Sequence, residues 1–469
     1  MKIKVKRFDL GPILGAVSTD TARIWGRGLV KRSGGAPRRV FGVARIRRLG
    51  AGAFGPPRYF KLNPNFDMTG VTVFTRLQPD TEYEYEAGAF FSDLEFEDLA
   101  AGAKPIWAGA HRGRLRTASA DPAAGRSFVF GSCRYLLKLF GGTWFDDRGD
   151  KTFRSILRQI DSGRRTDQLL MLGDQIYADD LLFIKPDESA DEYLARYRDA
   201  FSQEYIAQLI SRVPTYMTLD DHEIENNWPQ HATKGDRIRK FPAAMHAFMT
   251  YELSHSPLFS FGDDGRLTGH PDRYWYRFDD GCCEFFIMDA RTERARDPQG
   301  RPVRIIDSEQ MAALKEWLAD GSGRVKLIGS SVPFFPDLPG RDSDRWDAYP
   351  GQRNELLDHI RDNNVRRVVF LSGDVHSSMS AEVHHDSSPE FKIISVVSSP
   401  FYWPYPHSYE KDFQMSGPLA GAPGYTVHPG RRPISTDNFA RVTATPERLK
   451  VEFFGRKGEK LAPAKTHRF

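Results

Sequence analysis

Cysteine is scarce: there are three in 469 residues, and two of them, Cys282 and Cys283, are neighbours. A disulfide framework is thereby excluded, because a bridge between adjacent cysteines is strained and Cys133 is left without a partner. Long apolar runs are missing as well. No segment approaches the roughly 20 apolar residues that a membrane helix needs. The opening MKIKVKRFDL has no apolar stretch of the signal-peptide kind, so a cytoplasmic setting is expected unless a leader has been removed. Neither sign of charge is in excess: 66 Lys and Arg against 62 Asp and Glu leave +4, too dilute to argue for nucleic acid. What is present is ordinary for a folded chain, with 40% hydrophobic, 27% charged and 12% aromatic residues. Wholesale disorder, collagen and coiled coil are excluded. The length suits one large domain with a smaller one, or roughly three domains of about 150 residues.

The first 118 residues show short alternating runs between Gly and Pro turns, at Thr21–Arg27, Val71–Thr75 and Thr81–Ala87, and no convincing helix. A turn at Pro79-Asp80 followed by Tyr83 and Tyr85 on one strand face is similar to fibronectin type III modules, and the region reads as a β-sandwich. Residues 119–126, small, polar and proline-bearing, read as an interdomain linker. From residue 127 to 469 the pattern changes to short, continuously apolar strands, Phe128–Gly131, Leu169–Gly173, Phe285–Asp289, Val325–Gly329 and Val368–Gly373. Such strands are buried on both faces. Helical stretches lie between them: a stripe at Leu194, Tyr197, Phe201, Tyr205 and Leu209, and a start with a capping box at Asp307-Ser-Glu-Gln. The fold class is therefore α/β, or α+β layered. Pro400 to Pro433, rich in Pro, Gly, Tyr and His, is expected to be a long loop.

Four segments place reactive side chains just after an apolar run, where α/β folds build their sites. Phe130-Gly-Ser leads to Cys133 and Arg134. Leu172-Gly leads to Asp174 and Tyr177. Leu219 and Asp220 lead to Asp221, His222, Glu223, Asn226 and Asn227. Leu371-Ser-Gly leads to Asp374 and His376. Taken singly, each has a bland reading: a turn carboxylate at Asp174, a small buried hydrophobe at Cys133, an acidic helix start at Asp221 to Glu223, a surface ion pair of Asp374 with His376. Together they read as one site.

These blocks are recognisable. Gly173-Asp-Gln-Ile-Tyr177, Asp221-His-Glu223 and Gly373-Asp-Val-His376 resemble the GDxxY, GNHE and GHxH blocks of the calcineurin-like metallophosphoesterases. With Gly131-Ser-Cys-Arg134, Asp220 to Trp228, Asp289-Ala-Arg291 and Trp346-Asp-Ala-Tyr349, the resemblance is to the PhoD-like alkaline phosphatase branch. It also covers an N-terminal sandwich domain of fibronectin-III-like or immunoglobulin-like kind. The resemblance implies that Asp174 bridges two metals, with Tyr177, Cys133 and His376 completing the shell of one. It implies that Asp221 and Asp374 hold the second, with Asn226 or Asn227, and that His222 assists the leaving group. Arg134 and Arg291 are the candidates for gripping phosphate oxygens.

A phenolate, a thiolate and a shared carboxylate suit a trivalent ion such as Fe³⁺, and the oxygen-rich second site suits Ca²⁺, with one or two bound. Zn²⁺, Mn²⁺ and Mg²⁺ are the alternatives. The resemblance implies a phosphoester hydrolase in which activated water attacks phosphorus, with small phosphoesters or phosphodiesters as substrates. A phospholipase-D-like diesterase on the same site, a redox use of the iron, and a binding or adhesion module with an inert phosphatase domain are the other readings.

Overall fold

The computed structural model describes residues 2–28, 39–136, 138–139, 144–179, 186–262, 268–269, 271–340 and 344–469. The apolar runs become the interior strands of two sheets. A six-stranded sheet is ordered Thr215–Thr218, Gln168–Leu172, Arg126–Gly131, Phe439–Thr445, Arg448–Phe454 and Lys465–Arg468. Its first three strands are parallel and the rest antiparallel. An eight-stranded sheet is ordered Tyr276–Asp280, Cys283–Ile287, Val325–Ser330, Val368–Ser372, Ser388–Val397, Ser378–His385, Tyr425–Ile434 and Gly417–Pro418.

The two sheets pack face to face. Phe128, Leu170 and Leu172 of one sheet share a buried cluster with Phe285, Leu327, Val369 and Leu371 of the other, and the Phe128 and Phe285 rings meet edge-on at 5.5 Å. Since side chains alternate along a strand, the next residues, Phe286, Ile328 and Phe370, point outward. They pack with Leu314 and Trp317 of helix Ser308–Leu318 and with Leu356 and Ile360 of helix Pro350–Asp362. Helix Arg148–Asp161 covers the far face of the six-stranded sheet, where Arg441 Nε donates to Gln159 Oε1 at 2.7 Å. The result is four layers, helix, sheet, sheet, helix.

The N-terminal part contributes a three-stranded sheet, Leu10–Val17, Ala22–Arg27 and Thr69–Phe74, and a four-stranded sheet, Arg58–Lys61, Arg39–Arg48, Glu82–Ser92 and His111–Arg116. Both feed one cluster that includes Leu14, Ile24, Val40, Phe60, Tyr83 and Tyr85. The three-stranded sheet also joins the main core: Leu10, Ile13, Trp25 and Val71 belong to the cluster between the layered sheets. Polar contacts reinforce this seam. Trp25 Nε1 donates to Thr250 O (3.0 Å), Tyr85 Oη to Ser211 O (2.6 Å) and Tyr216 Oη to Val17 O (3.1 Å). The stretch that reads as a linker is tied down too, since Ser119 N donates to Asp280 Oδ1 (2.8 Å) and Cys282 N to Ala124 O (2.9 Å).

Trp25 is fully buried where the two parts meet. Trp25→Ala is therefore expected to lower stability by about 3–5 kcal/mol, with both parts unfolding in one transition. Chemical denaturation followed by circular dichroism and by fluorescence of the remaining tryptophans checks this, and two separated transitions would contradict it.

Three local expectations change. The stripe from Ala190 onward is two helices, Ala190–Phe201 and Glu204–Ile210, the first started by a reciprocal capping box at Ser189 and Glu192. At Asp307 only half of a box forms: its side chain accepts from Gln310 N (2.8 Å), but the Gln310 amide reaches away to Asp289 O (3.0 Å). The expected long loop from Pro400 to Pro433 instead ends in strand Tyr425–Ile434, paired with Ser378–His385. Its prolines survive there because beyond Val427 the strand lies on the sheet edge, where a missing N–H breaks no ladder. Among the described residues no helix is long and apolar enough to cross a membrane, and the three cysteines are free.

Candidate active site

The strand ends that carry the reactive side chains converge from both sheets. Arg126–Gly131, Gln168–Leu172 and Thr215–Thr218 of the six-stranded sheet deliver Cys133, Asp174 and Asp221. Val368–Ser372 of the eight-stranded sheet delivers Asp374 and His376. Two glycines make the close approach possible: a Cβ on Gly173 would collide with the Cβ of Asp220, and one on Gly373 with Ser132. A cavity of about 400 Å³ opens at this seam, lined by Asp174, Asp221, His222, Asn226, Asn227 and Asp374, with His376, Arg345, Trp403 and Tyr405 at its walls. A larger cavity of about 1250 Å³, between the N-terminal sheets and the segment around Met249, contains none of these residues.

Asp174 sits at the centre. Cys133 Sγ and Tyr177 Oη both lie against its Oδ2, at 3.2 and 3.4 Å, while its Oδ1 faces His222 N at 3.4 Å. Asp174, Asp221 and His222 can present ligand atoms within 4.8 Å of one another. The backbone is held in an unusual state here. Of the eleven non-glycine residues with positive φ among those described, five are Cys133, Asp174, Asn227, Asp374 and His376. Each such conformation costs on the order of 1–3 kcal/mol and persists only where the surroundings over-determine it.

Glu223 supplies much of that constraint. Its buried carboxylate accepts from the backbone N–H groups of Asp174 (3.0 Å), Gln175 (2.5 Å) and Asp220 (2.7 Å), cinching two of the loops together. Ser132 and Ser399 hydroxyls flank the Cys133 sulfur at 3.1 and 3.2 Å. His222 Nδ1 lies 2.9 Å from Asp179 Oδ1. Because a carboxylate only accepts, that nitrogen carries the hydrogen and Nε2 is left for other partners.

The donor set fits cations. Burial pushes the Cys133 thiol and the Tyr177 phenol far up, and neighbouring anions push the same way. Burial likewise raises Asp174, with Asp220 and Asp221 adding to it against the pull of His222. Burial raises Asp374 as well, opposed by Arg345. Acids packed this closely need positive charge between them to ionise together. Among the described residues Asp221 Oδ1 and Asp374 Oδ2 accept no hydrogen bond and face only arginine nitrogens, at 3.4 and 3.5 Å, which leaves both oxygens open to a cation.

The two arginines expected to grip phosphate are placed otherwise. Arg134 turns into the protein, its guanidinium over the Phe153 ring at 5.2 Å and 3.8 Å from Asp150. Arg291 is wholly buried beneath the loops: its Nε donates to Asp220, Nη1 and Nη2 clasp Asp344 at 2.5 and 2.9 Å, and Nη2 approaches Asp221 at 3.4 Å. Neither lines the cavity. Arg291 instead balances the carboxylates behind it. The unforeseen residues are Asp179, behind His222, and Arg345. Asp179 carried a legible signal, lying two residues beyond Tyr177 in the same block; nothing local distinguishes Arg345 from other arginines.

Stacked sheets with a carboxylate-rich cleft at their joint strand ends are the architecture of a metallophosphoesterase-like fold. A solved structure of PhoD matches with a TM-score of 0.71 at 18% identity, over 99% of this chain and 89% of that one. A purple acid phosphatase from yellow lupin (Lupinus luteus) seeds matches with a TM-score of 0.60 at 12% identity, over 97% and 73%. In sequence, alkaline phosphatase D of Bacillus subtilis (strain 168) is 27% identical over 217 residues, 42% of this chain; the match spans only 36% of that relative's length. The family model described as PhoD-like phosphatase matches residues 137–430, and the chain belongs to that family.

Proposed function

We propose that this chain is a metal-dependent phosphoester hydrolase in which water attacks phosphorus in the cleft between the two sheets. The observation that carries this is the convergence of Cys133 and Tyr177 on one carboxylate oxygen of Asp174, with Asp221 and Asp374 alongside. Cys133, Tyr177, Asp174 and His376 would hold one ion, favouring Fe³⁺. Asp174, Asp221, Asp374 and Asn226 or Asn227 would hold one or two more, favouring Ca²⁺. Bound there, the ions supply Lewis acidity toward phosphoryl oxygens and a water of lowered pKa. The protein's own part is positional. Glu223 fixes the loops, Asp179 fixes the His222 ring, and His222 at the cavity wall delivers a proton to the departing alkoxide.

Residues 1–118 are proposed as a fibronectin-III-like sandwich domain, with 119–126 as the junction and 127–469 as the catalytic domain. The substrates are proposed to be small phosphoesters, and the turnover of monoesters against diesters separates phosphatase from diesterase. Elemental analysis of the purified protein by mass spectrometry, paired with hydrolysis of p-nitrophenyl phosphate, tests the reading. About one iron and one or two calcium ions per chain are expected, with activity lost on chelation and restored by Ca²⁺. Turnover that survives complete metal removal would overturn the proposal. Two zinc or manganese ions without iron would preserve the hydrolase and replace the metal assignment.

A further inference from the structure

The lining of the catalytic cavity is strongly acidic. Asp174, Asp221, Asp344 and Asp374 all contribute to it, and among the described lining residues Arg345 is the only lysine or arginine. Asp344 is already occupied, clasped by Arg291 and approached by Arg294 Nη1 at 2.6 Å. Arg345 Nη1 lies 3.5 Å from Asp374 Oδ2, an ion pair longer than a hydrogen bond. The backbone that carries Arg345 is pinned on both sides. Asp344 is held by that arginine clasp, and Trp346 is fully buried, its indole N–H donating to Ser330 Oγ at 3.3 Å. A guanidinium held by a fixed main chain, at the wall of a cavity meant for a phosphoryl group, has the planar fork that matches two phosphate oxygens.

We infer that Arg345 contacts the substrate's phosphoryl oxygens, the role that Arg134 and Arg291 cannot fill from their buried positions. The inference rests on the hydrolase reading above. It follows from charge and position: a phosphate dianion entering four carboxylates needs positive charge at the wall, and beside His222 and the proposed ions Arg345 is the one guanidinium among the described lining residues. Monoester dianions should then depend on Arg345 more than diester monoanions do.

The test uses the full-length, metal-loaded protein and two variants, Arg345→Gln and Arg345→Lys. Binding of inorganic phosphate is measured by calorimetry, alongside metal content and kcat/KM for p-nitrophenyl phosphate and bis(p-nitrophenyl) phosphate. Arg345→Gln is expected to keep its metals and weaken phosphate binding by about 10- to 100-fold. The monoester should lose more kcat/KM than the diester, and Arg345→Lys should recover part of the loss. Phosphate affinity within twofold of the unaltered protein in both variants would overturn the inference. Loss of metal in Arg345→Lys would also overturn it, and would make Arg345 a support for Asp374. Phosphate binding is read without turnover, so failure of the unaltered protein to hydrolyse any ester counts against the hydrolase reading alone.

Discussion

Asp174→Asn is expected to lower turnover by at least about a thousandfold and to strip bound metal at the same time, while the protein stays folded. The carboxylate faces two ways: Oδ2 toward Cys133 and Tyr177, Oδ1 toward His222. An amide of the same shape keeps those packing contacts, but it puts an NH₂ where one proposed ligand oxygen stood and removes a charge that both proposed ion sites would share. The backbone tolerates the change, because Asp174 has φ 56° and asparagine enters that region readily. Stability of the metal-free protein should hold or rise, since the substitution removes an acid whose ionisation burial opposes. Elemental analysis, steady-state kinetics and a thermal melt of the metal-free protein check the three parts. Turnover within tenfold of the unaltered protein would remove Asp174 from the centre of the site.

The positions of Cys133, Asp174 and Asp374 were legible because each follows a continuously apolar run, and polar residues after such a run sit at a strand end; Asp221 follows the mixed strand Thr215–Thr218 and was marked by its dense polar block instead. The layered class was legible for the same reason. What could not be read was how strand ends divide between sheets. The thiol and the three acids carry no local mark of the sheet they follow, yet Val368–Ser372 belongs to a different sheet from the other three strands, and the site exists only because the two sheets pack.

The arginines show the same limit. Arg291 stands just past strand Cys283–Ile287 and reads as a site-facing cation, but its partners Asp220 and Asp344 lie 71 and 53 residues away in sequence. A buried charge takes whichever partner the packed layers bring, and no local pattern encodes that. Trp403 and Tyr405 stand in a stretch that reads as loop and is irregular. Their place at the cavity wall, with the Trp403 ring stacked on His376 at 3.8 Å, emerges only from the return of the chain after Ser388–Val397.

His222→Ala is expected to leave metal content unchanged and to slow the release of poor leaving groups by about 100-fold or more, while nitrophenol release falls less than about tenfold. The asymmetry follows from the leaving groups. Nitrophenolate departs as a stable anion, whereas an alkoxide needs a proton as the ester bond breaks. His222 is the proposed donor of that proton: Asp179 holds Nδ1 at 2.9 Å, so Nε2 is the nitrogen left to act, and the residue lines the cavity. Burial would discharge the ring, but Asp179, Asp221 and Asp174 push its pKa up. Asp179→Asn separates orientation from charge. The amide oxygen can still accept from Nδ1 and keep the ring in place, yet the anion that supports a protonated imidazole is gone. This variant should therefore reproduce the leaving-group dependence in weaker form, with metals retained. A series of alkyl and aryl phosphates gives the slope of log kcat/KM against leaving-group pKa for each protein. A steeper slope in both variants assigns the proton to His222; parallel lines would make the Asp179 and His222 pair a brace for Asp221 and leave the leaving group to be stabilised by other means.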